Sequence, residues 1–589
     1  MVRELGAGHL APRYRLPMLD DLPTPRLLAV ARGDEAPDLV IEGARVFGAF
    51  TKEWLEGEVA IADGRFAGIG SYDGGERIDG SGRWLSAGFI DAHMHVESSK
   101  LTVGELARVL VGRGTTTIVC DPHELANALG PEGVHWFIDS CDGLPIDVLA
   151  AAPACVPASP FESPRAALTL ADQAGILARE RVLGLAEMMN FPAVIAGDPR
   201  ELAKLALAAG QRVDGHAPGV RGAELDAYLA TGIATDHEAT VLEEALEKRR
   251  RGAWVLLREA SNARNLRDLL PLVREFGPER CAFCTDDREP DMLVREGHID
   301  QMCRVAVAEG IAPEDALLLA TLHPALCHGL PRVGAIAPGW RADCVLLDDL
   351  GSFRAALVLK DGRVVARDGA TMPFAPSPAP AWVRDSVRIA PLPPAAFALP
   401  SAGGQVRAIG LVRDQILTEH LTITPSVRGG EVVADHERDL AKIAVVERHH
   451  ASGRIGLGLV RGFGLRRGAM ATTVAHDAHN IVAVGMDDDD LARCVGRLGE
   501  IGGGIVIYER GELRAELALP IAGLMSDQPV DVVVEQLDRL HAVVLELGSA
   551  LAAPFMTLSF LALSVIPALK ITDRGLVDVE RFALVPFDV

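Results

Sequence analysis

The hydrophobic period along this chain changes several times. From 38 to 85, short apolar runs such as DLVIEGARVF and EVAIADGRFAGIG are broken by glycine, which predicts strands joined by turns. From 86 to about 325, short apolar strands alternate with longer stretches of helical period, such as TVGELARVLVGRG and DPRELAKLALAAG. That alternation predicts βα units and a parallel sheet. The strands are read at 89–95, 115–121, 148–156, 182–189, 212–217, 233–239, 253–260 and 281–287. Eight such units in about 240 residues fit a (β/α)8 barrel. Short strands then return in GAIAPGWRADCVLLDD and LVLKDGRVVARDG, as the second half of the unit begun at 38–85.

The expected fold class is therefore α/β: a TIM barrel over 86–334, with a small β-sandwich built from 38–85 and 335–372. An arm with some helix precedes them over 1–37. Pro-rich 373–400 reads as a linker, and 401–589 as a C-terminal α+β domain. The uncharged stretch from Leu547 to Leu569 is long enough to span a bilayer. Gly548, Pro554 and Pro567 interrupt it, so it is expected to be buried core. The first residues lack a continuous apolar run, and no signal peptide is read there.

Composition narrows the partners. Among 589 residues, 58 Lys+Arg stand against 81 Asp+Glu, a net charge of -23, and 49% are hydrophobic. The apolar fraction suits a globular chain, and the negative field disfavours nucleic acid or an anionic membrane as partner. Nine scattered cysteines argue for a reducing cytosol rather than a disulfide framework.

The chemistry collects at the strand ends, where barrels hold their active sites. The first strand ends in His93-Met94-His95, whose period of two puts both imidazoles on one side. The fourth ends with Glu187, the fifth with His216, the sixth with His237 and the eighth with Asp286-Asp287. Four imidazoles and two or three carboxylates at one mouth suit a divalent metal site; without thiolate, Mn, Fe or Zn would fit.

FIDAHMHVESS resembles the first-strand motif of the amidohydrolase superfamily. TTTIVCDPHELANALG, LAEMMNFP, DGHAPG, TDHEAT and FCTDDREPDMLVREGHID are similar to those of its adenine deaminases of the long, metal-dependent type. So are the C-terminal VAHDAHNIVAVG, LPIAGLMSD and PFMTLSFLALSVIPALKITDRGLVDV. The resemblance implies a two-metal site, manganese or iron, with His93, His95 and Asp286 on the first metal and His216 and His237 on the second. Glu187 would bridge both. Many relatives place a carbamylated lysine there, but no Lys lies between Lys100 and Lys204. Asp287 is the alternative to Asp286, since neighbours on a strand point opposite ways.

The implied reaction is hydrolysis of adenine to hypoxanthine and ammonia in purine salvage, by attack of a metal-bridged hydroxide on C6. A carboxylate must carry the proton to the leaving nitrogen. Asp286 is the candidate, with Glu124 or Glu97 as second choices. Asp121, His123 and Asn190 are candidate substrate contacts, and Met188 and Met189 read as barrel wall. His476, Asp477 and His479 are a possible contribution from the C-terminal domain. Arg258 and Glu259 are a candidate ion pair. A cytoplasmic homodimer is expected. The alternatives are a hydantoinase- or dihydroorotase-type cyclic-amide hydrolase, which would want the fourth-strand lysine, and an inactive scaffold, which would lack ligands.

Three other signals read as structural. His95-Val96-Glu97 with Cys281 and Cys284 imitates a cytidine-deaminase zinc signature. Arg280 stands where proline is wanted, so the cysteines read as buried thiols. Asp487–Asp490 reads as a helix start, and Gly502–Gly504 lacks the Lys-Ser/Thr of a phosphate loop.

Overall fold

The computed structural model describes residues 24–400, 403–413 and 415–589. Most of the expected N-terminal arm, 1–23, with the segment read for a signal peptide, lies outside the described residues. Its remainder contains a helix, Pro25–Arg32, capped by the Thr24 side chain.

Eight parallel strands form the central layer: β1 (Phe89–Met94), β2 (Thr115–Cys120), β3 (Asp147–Ala152), β4 (Val182–Met188), β5 (Arg212–Gly215), β6 (Thr235–Asp236), β7 (Trp254–Arg258) and β8 (Cys281–Cys284). β1 to β5 are neighbours in chain order, and so are β6 to β8. Two seams join these sheets into a TIM-barrel-like ring. Ala234 N–H donates to Val213 O at 3.0 Å between β5 and β6, and Asp286 N–H to His93 O at 3.0 Å between β8 and β1. Most of the strands are short and apolar because both faces are covered; β5 (RVDG) and β6 (TD) are the polar exceptions. Phe89, Ile118 and Val148 pack outward in the main core. Ile90, Val119, Leu149 and Leu183 form a separate cluster with Ala325. β4 and β5 approach so closely that a Cβ at Gly184 would lie 1.9 Å from Arg212 O, which only glycine allows.

Two flanking segments build two sheets on one apolar core. The four-stranded sheet contains Leu39–Glu42 and Glu58–Ala62; the seven-stranded sheet pairs Trp84–Ala87 with Cys344–Leu347. Val46, Phe66, Leu85, Leu346 and Leu359 fill the space between. The Pro-rich segment is a fixed strap rather than a free tether. Arg108 donates to Phe374 O, Ala522 N–H to Val383 O and Arg388 N–H to Arg448 O, and Val383 and Phe397 are fully buried.

The C-terminal region carries an eight-stranded sheet from Val406–Leu411 to Glu512–Ala518 and two long helices, Asp488–Ile501 and Val530–Glu546. Asp487 caps the first helix through the N–H groups of Asp489 and Asp490, and Gly502 ends it at φ 76°. The uncharged stretch breaks into turns and a helix, Pro554–Phe560, within the core. Among the described residues, no helix is long and apolar enough to cross a membrane. The main core runs without a break from Met94 and Leu293 of the barrel to Val474, Phe555 and Ile571.

Candidate metal centre

The strand ends bring His93, His95, Glu187, His216, His237 and Asp286 together, all at most 5% exposed. His93 Nε2 and His95 Nε2 face each other at 3.2 Å, a convergence that one cation would relieve. Glu187 divides its carboxylate. Oε1 lies 3.4 Å from His95 Nε2 and 4.0 Å from His93 Nε2, while Oε2 lies 2.8 Å from His216 Nδ1 and 3.3 Å from His237 Nε2. His216 Nε2 is buried without a hydrogen bond. The groups with geometry that could hold metal ions include His93/His95/Glu187, His93/His237/Asp286 and Glu187/His216/His237. Imidazole and carboxylate donors at this spacing suit first-row divalent cations.

Of the two adjacent aspartates, Asp286 faces the imidazoles, with Oδ1 3.2 Å from His95 Nε2 and 3.8 Å from His93 Nε2. Asp287 nevertheless also lines the cavity, hydrogen-bonded by Ser98 Oγ. Strict alternation fails because β8 ends at Cys284 and Asp286 sits at φ 55°, a left-handed conformation aspartate tolerates.

Burial opposes ionisation of Asp286 and Glu187, yet both are held well below the usual carboxylate range. His95 and Arg258 outweigh burial at Asp286, and His216, His237 and His95 do so at Glu187. Both therefore remain anionic and ready for cations. Around them, His95 Nδ1 lies 3.1 Å from Asp121 O, which orients the ring. Asp91 accepts from the His93 N–H and pairs with His298.

Arg258 does not pair with Glu259. Its guanidinium reaches Glu238, and Asp286 Oδ2 at 2.9 Å. Glu259 lies just past the end of β7 and turns instead towards Arg264, at 4.0 Å. Glu238 was not foreseen. Its Oε1 lies 3.3 Å from His237 Nε2, and it lines the cavity. Both His237 and Glu238 can face inward because β6 ends at Asp236. TDHEAT contained the signal, a carboxylate beside a predicted ligand.

The remaining candidates divide by depth. His123 lines the cavity, with Nδ1 3.0 Å from Asp121 Oδ2 and Nε2 3.4 Å from Asp477 Oδ1. Asp121 stands behind it. Asn190 turns away and donates to Glu201 at 3.3 Å, because it sits where the chain enters the helix Phe191–Ile195. Glu124 lies one layer back, 3.1 Å from Ser98 Oγ and 3.3 Å from His479 Nε2. Glu97 is further back and accepts from Leu125 N–H; burial and the charge of Glu124 push its carboxyl up to about 8. Met189 forms cavity wall, as do Ile416, Phe560 and Leu563 of the C-terminal domain, which also brings His476 and Asp477. Cys281 and Cys284 are buried free thiols raised by burial.

Lys248 braces this mouth from outside. Fully buried, it donates to Asp236, Glu244 and the Ala217 carbonyl at 2.6–2.7 Å, while Asp236 accepts from the N–H groups of Ala217, Glu238 and Ala239. The segments bearing His216 and His237 are thereby tied together. Lys248→Met leaves two buried carboxylates unpaired and is expected to cost about 3–5 kcal/mol. The measurement is the urea midpoint together with metal content; an unchanged midpoint would remove the bracing role.

Comparison with known proteins agrees with this geometry. Residues 84–365 match the model of the amidohydrolase family, and residues 415–583 match that of the adenine deaminase C-terminal domain. An adenine deaminase 2 of Carboxydothermus hydrogenoformans is 44% identical over 96% of this chain and 99% of its own length. An adenine deaminase of Nitratidesulfovibrio vulgaris is 46% identical over 97% and 99%, and one of Brucella anthropi 45% over 95% and 99%.

Proposed function

This chain belongs to the adenine deaminase family of amidohydrolases, and from that premise we propose that its buried cluster holds two divalent cations. The chain is an enzyme that hydrolyses adenine to hypoxanthine and ammonia. The single observation that supports a binuclear site is the division of Glu187, one oxygen towards His93 and His95 and the other towards His216 and His237. His93, His95 and Asp286 would hold the first cation, His216 and His237 the second, with Glu187 placed to serve both. Manganese or iron is the proposed metal, with zinc compatible with the same donors.

When bound, the two cations supply Lewis acidity that makes water a nucleophile near neutral pH. The residues of this chain do the rest. Asp286 takes the proton released as C–O bond formation begins at C6 and delivers it to the amino nitrogen, so that ammonia leaves rather than amide ion. Arg258 keeps Asp286 ionised between turnovers and holds Glu238 beside His237. Met189, Phe560 and Leu563 exclude water from the purine faces. A second cavity of about 370 Å³ shares Asn262 with the first.

The same premise supports the division into arm, sandwich, barrel, strap and C-terminal domain at the boundaries given above. It also supports a cytoplasmic homodimer acting in purine salvage on an uncharged free base, with neither nucleic acid nor membrane as partner. The test is the ultraviolet conversion of adenine to hypoxanthine after chelation and readdition of manganese, iron or zinc. Turnover should vanish on chelation and return at two metal equivalents per chain. No conversion with any of the three would refute the reading.

A further inference from the structure

The floor of the cavity belongs to the barrel, but part of its polar wall does not. His476 and Asp477 enter it from the C-terminal domain. The His476 ring lies flat against Phe560, with centroids 4.7 Å apart and planes 8° apart. Its backbone N–H donates to Ser559 Oγ at 3.3 Å. These contacts fix the plane of the ring and aim it into the cavity.

Both ring nitrogens face carboxylates. Nδ1 lies 3.6 Å from Asp477 Oδ1 and 3.9 Å from Glu124 Oε1, and Nε2 lies 3.9 Å from Asp287 Oδ1. Surrounded in this way, both nitrogens keep their protons, although burial opposes the charge. Nε2 makes no hydrogen bond in a residue only 2% exposed. Leaving a buried donor unpaired costs about 1–3 kcal/mol, and such a group in the wall of a binding cavity calls for a ligand acceptor.

Adenine offers few acceptors: its amino group donates, and only its ring nitrogens accept. Asp287, which faces His476, directly follows Asp286, and all three line the same cavity; in adenine, N1 and N7 lie on either side of the C6 amino group. Resting on the adenine deaminase reading, we propose that His476 donates its Nε2–H to one of these two nitrogens, so that the C-terminal domain reads the purine edge next to the leaving group. Asp477 and Glu124 act as positioning residues. Glu124 is itself held between Ser98 and His479, which gives the His-Asp-x-His run at 476–479 one connected purpose.

The test is a cycle between protein and ligand. His476→Ala and His476→Phe, the latter keeping a flat ring against Phe560, are compared with the unaltered enzyme. The readouts are adenine kcat and KM, inhibition constants of 1-deazaadenine and 7-deazaadenine, and metal content. In the unaltered enzyme, the analogue lacking the contacted nitrogen should bind about 10–100-fold more weakly than adenine, as loss of a charge-assisted hydrogen bond implies. In the variants that penalty should disappear, KM should rise by a similar factor, and metal should stay at two per chain. Full penalties for both analogues in a folded variant would overturn the proposal. So would a crystal structure of the unaltered enzyme with bound purine in which Nε2 lies beyond hydrogen-bond distance of N1 and N7, a result that needs no variant to fold. If the unaltered enzyme does not deaminate adenine, the reading beneath fails; if it does and the cycle is additive, only the role of His476 fails.

Discussion

Glu187→Gln should lose bound metal and deaminase activity together, with kcat falling by more than about 100-fold. The two carboxylate oxygens lie near two different histidine pairs, at 2.8 to 4.0 Å. An amide keeps the shape but offers a single neutral oxygen, and its NH2 group would point at one of the pairs. Even outer partners of metal ligands are worth about 10–100-fold in affinity or activity, so a bridging ligand should exceed that. Elemental analysis should find one metal or none per chain instead of two. Two retained metals with normal turnover would dismiss the bridge.

The second large effect is expected from Asp286→Asn. The substitution leaves one oxygen near His95 but removes the group able to accept and return a proton. General acid–base catalysis contributes about 10²- to 10⁴-fold, and kcat should fall by that much with KM little changed. Arg258 should remain in place through Glu238, so the fold should survive, as a near-unchanged denaturation midpoint would show. Asp287→Asn is the control. Asp287 accepts from Ser98 and faces His476, whereas Asp286 Oδ1 lies 3.2 Å from His95 Nε2, so the loss from the Asp287 change should be the smaller. The reverse order would move the proton shuttle to Asp287.

How much of this was legible in the sequence depends on distance along the chain. Most of the eight strands show in their own apolar runs, because a strand buried on both faces is apolar whatever its neighbours are; β5 (RVDG) and β6 (TD) show only by their place between helical stretches. The His93/His95 pair is legible for a similar reason: a period of two is a property of the strand alone. Glu187, His216, His237 and Asp286 follow once each strand end is located, since a parallel barrel gathers all those ends at one mouth. Expectations failed where strand geometry stops. Asp286 and Asp287 both reach the cavity, as do His237 and Glu238, because these pairs lie past the last residue of their strands, where alternation no longer applies. Asn190 missed the cavity for a related reason, its chain already turning into a helix.

The sequence by itself determined most of the barrel strands, the imidazoles and carboxylates at their ends and, through motif resemblance, the family and its reaction. Only the tertiary structure decided how charges pair across elements. Arg258 went to Glu238 and Asp286 rather than to its neighbour, and Lys248 to Asp236 and Glu244. It alone also decided that the C-terminal domain closes the mouth with His476, Asp477 and Phe560. The physical reason is range. Periodicity records what each segment buries, whereas a buried charge must find its partner in space, and that partner can lie hundreds of residues away, as His476 does from Glu124.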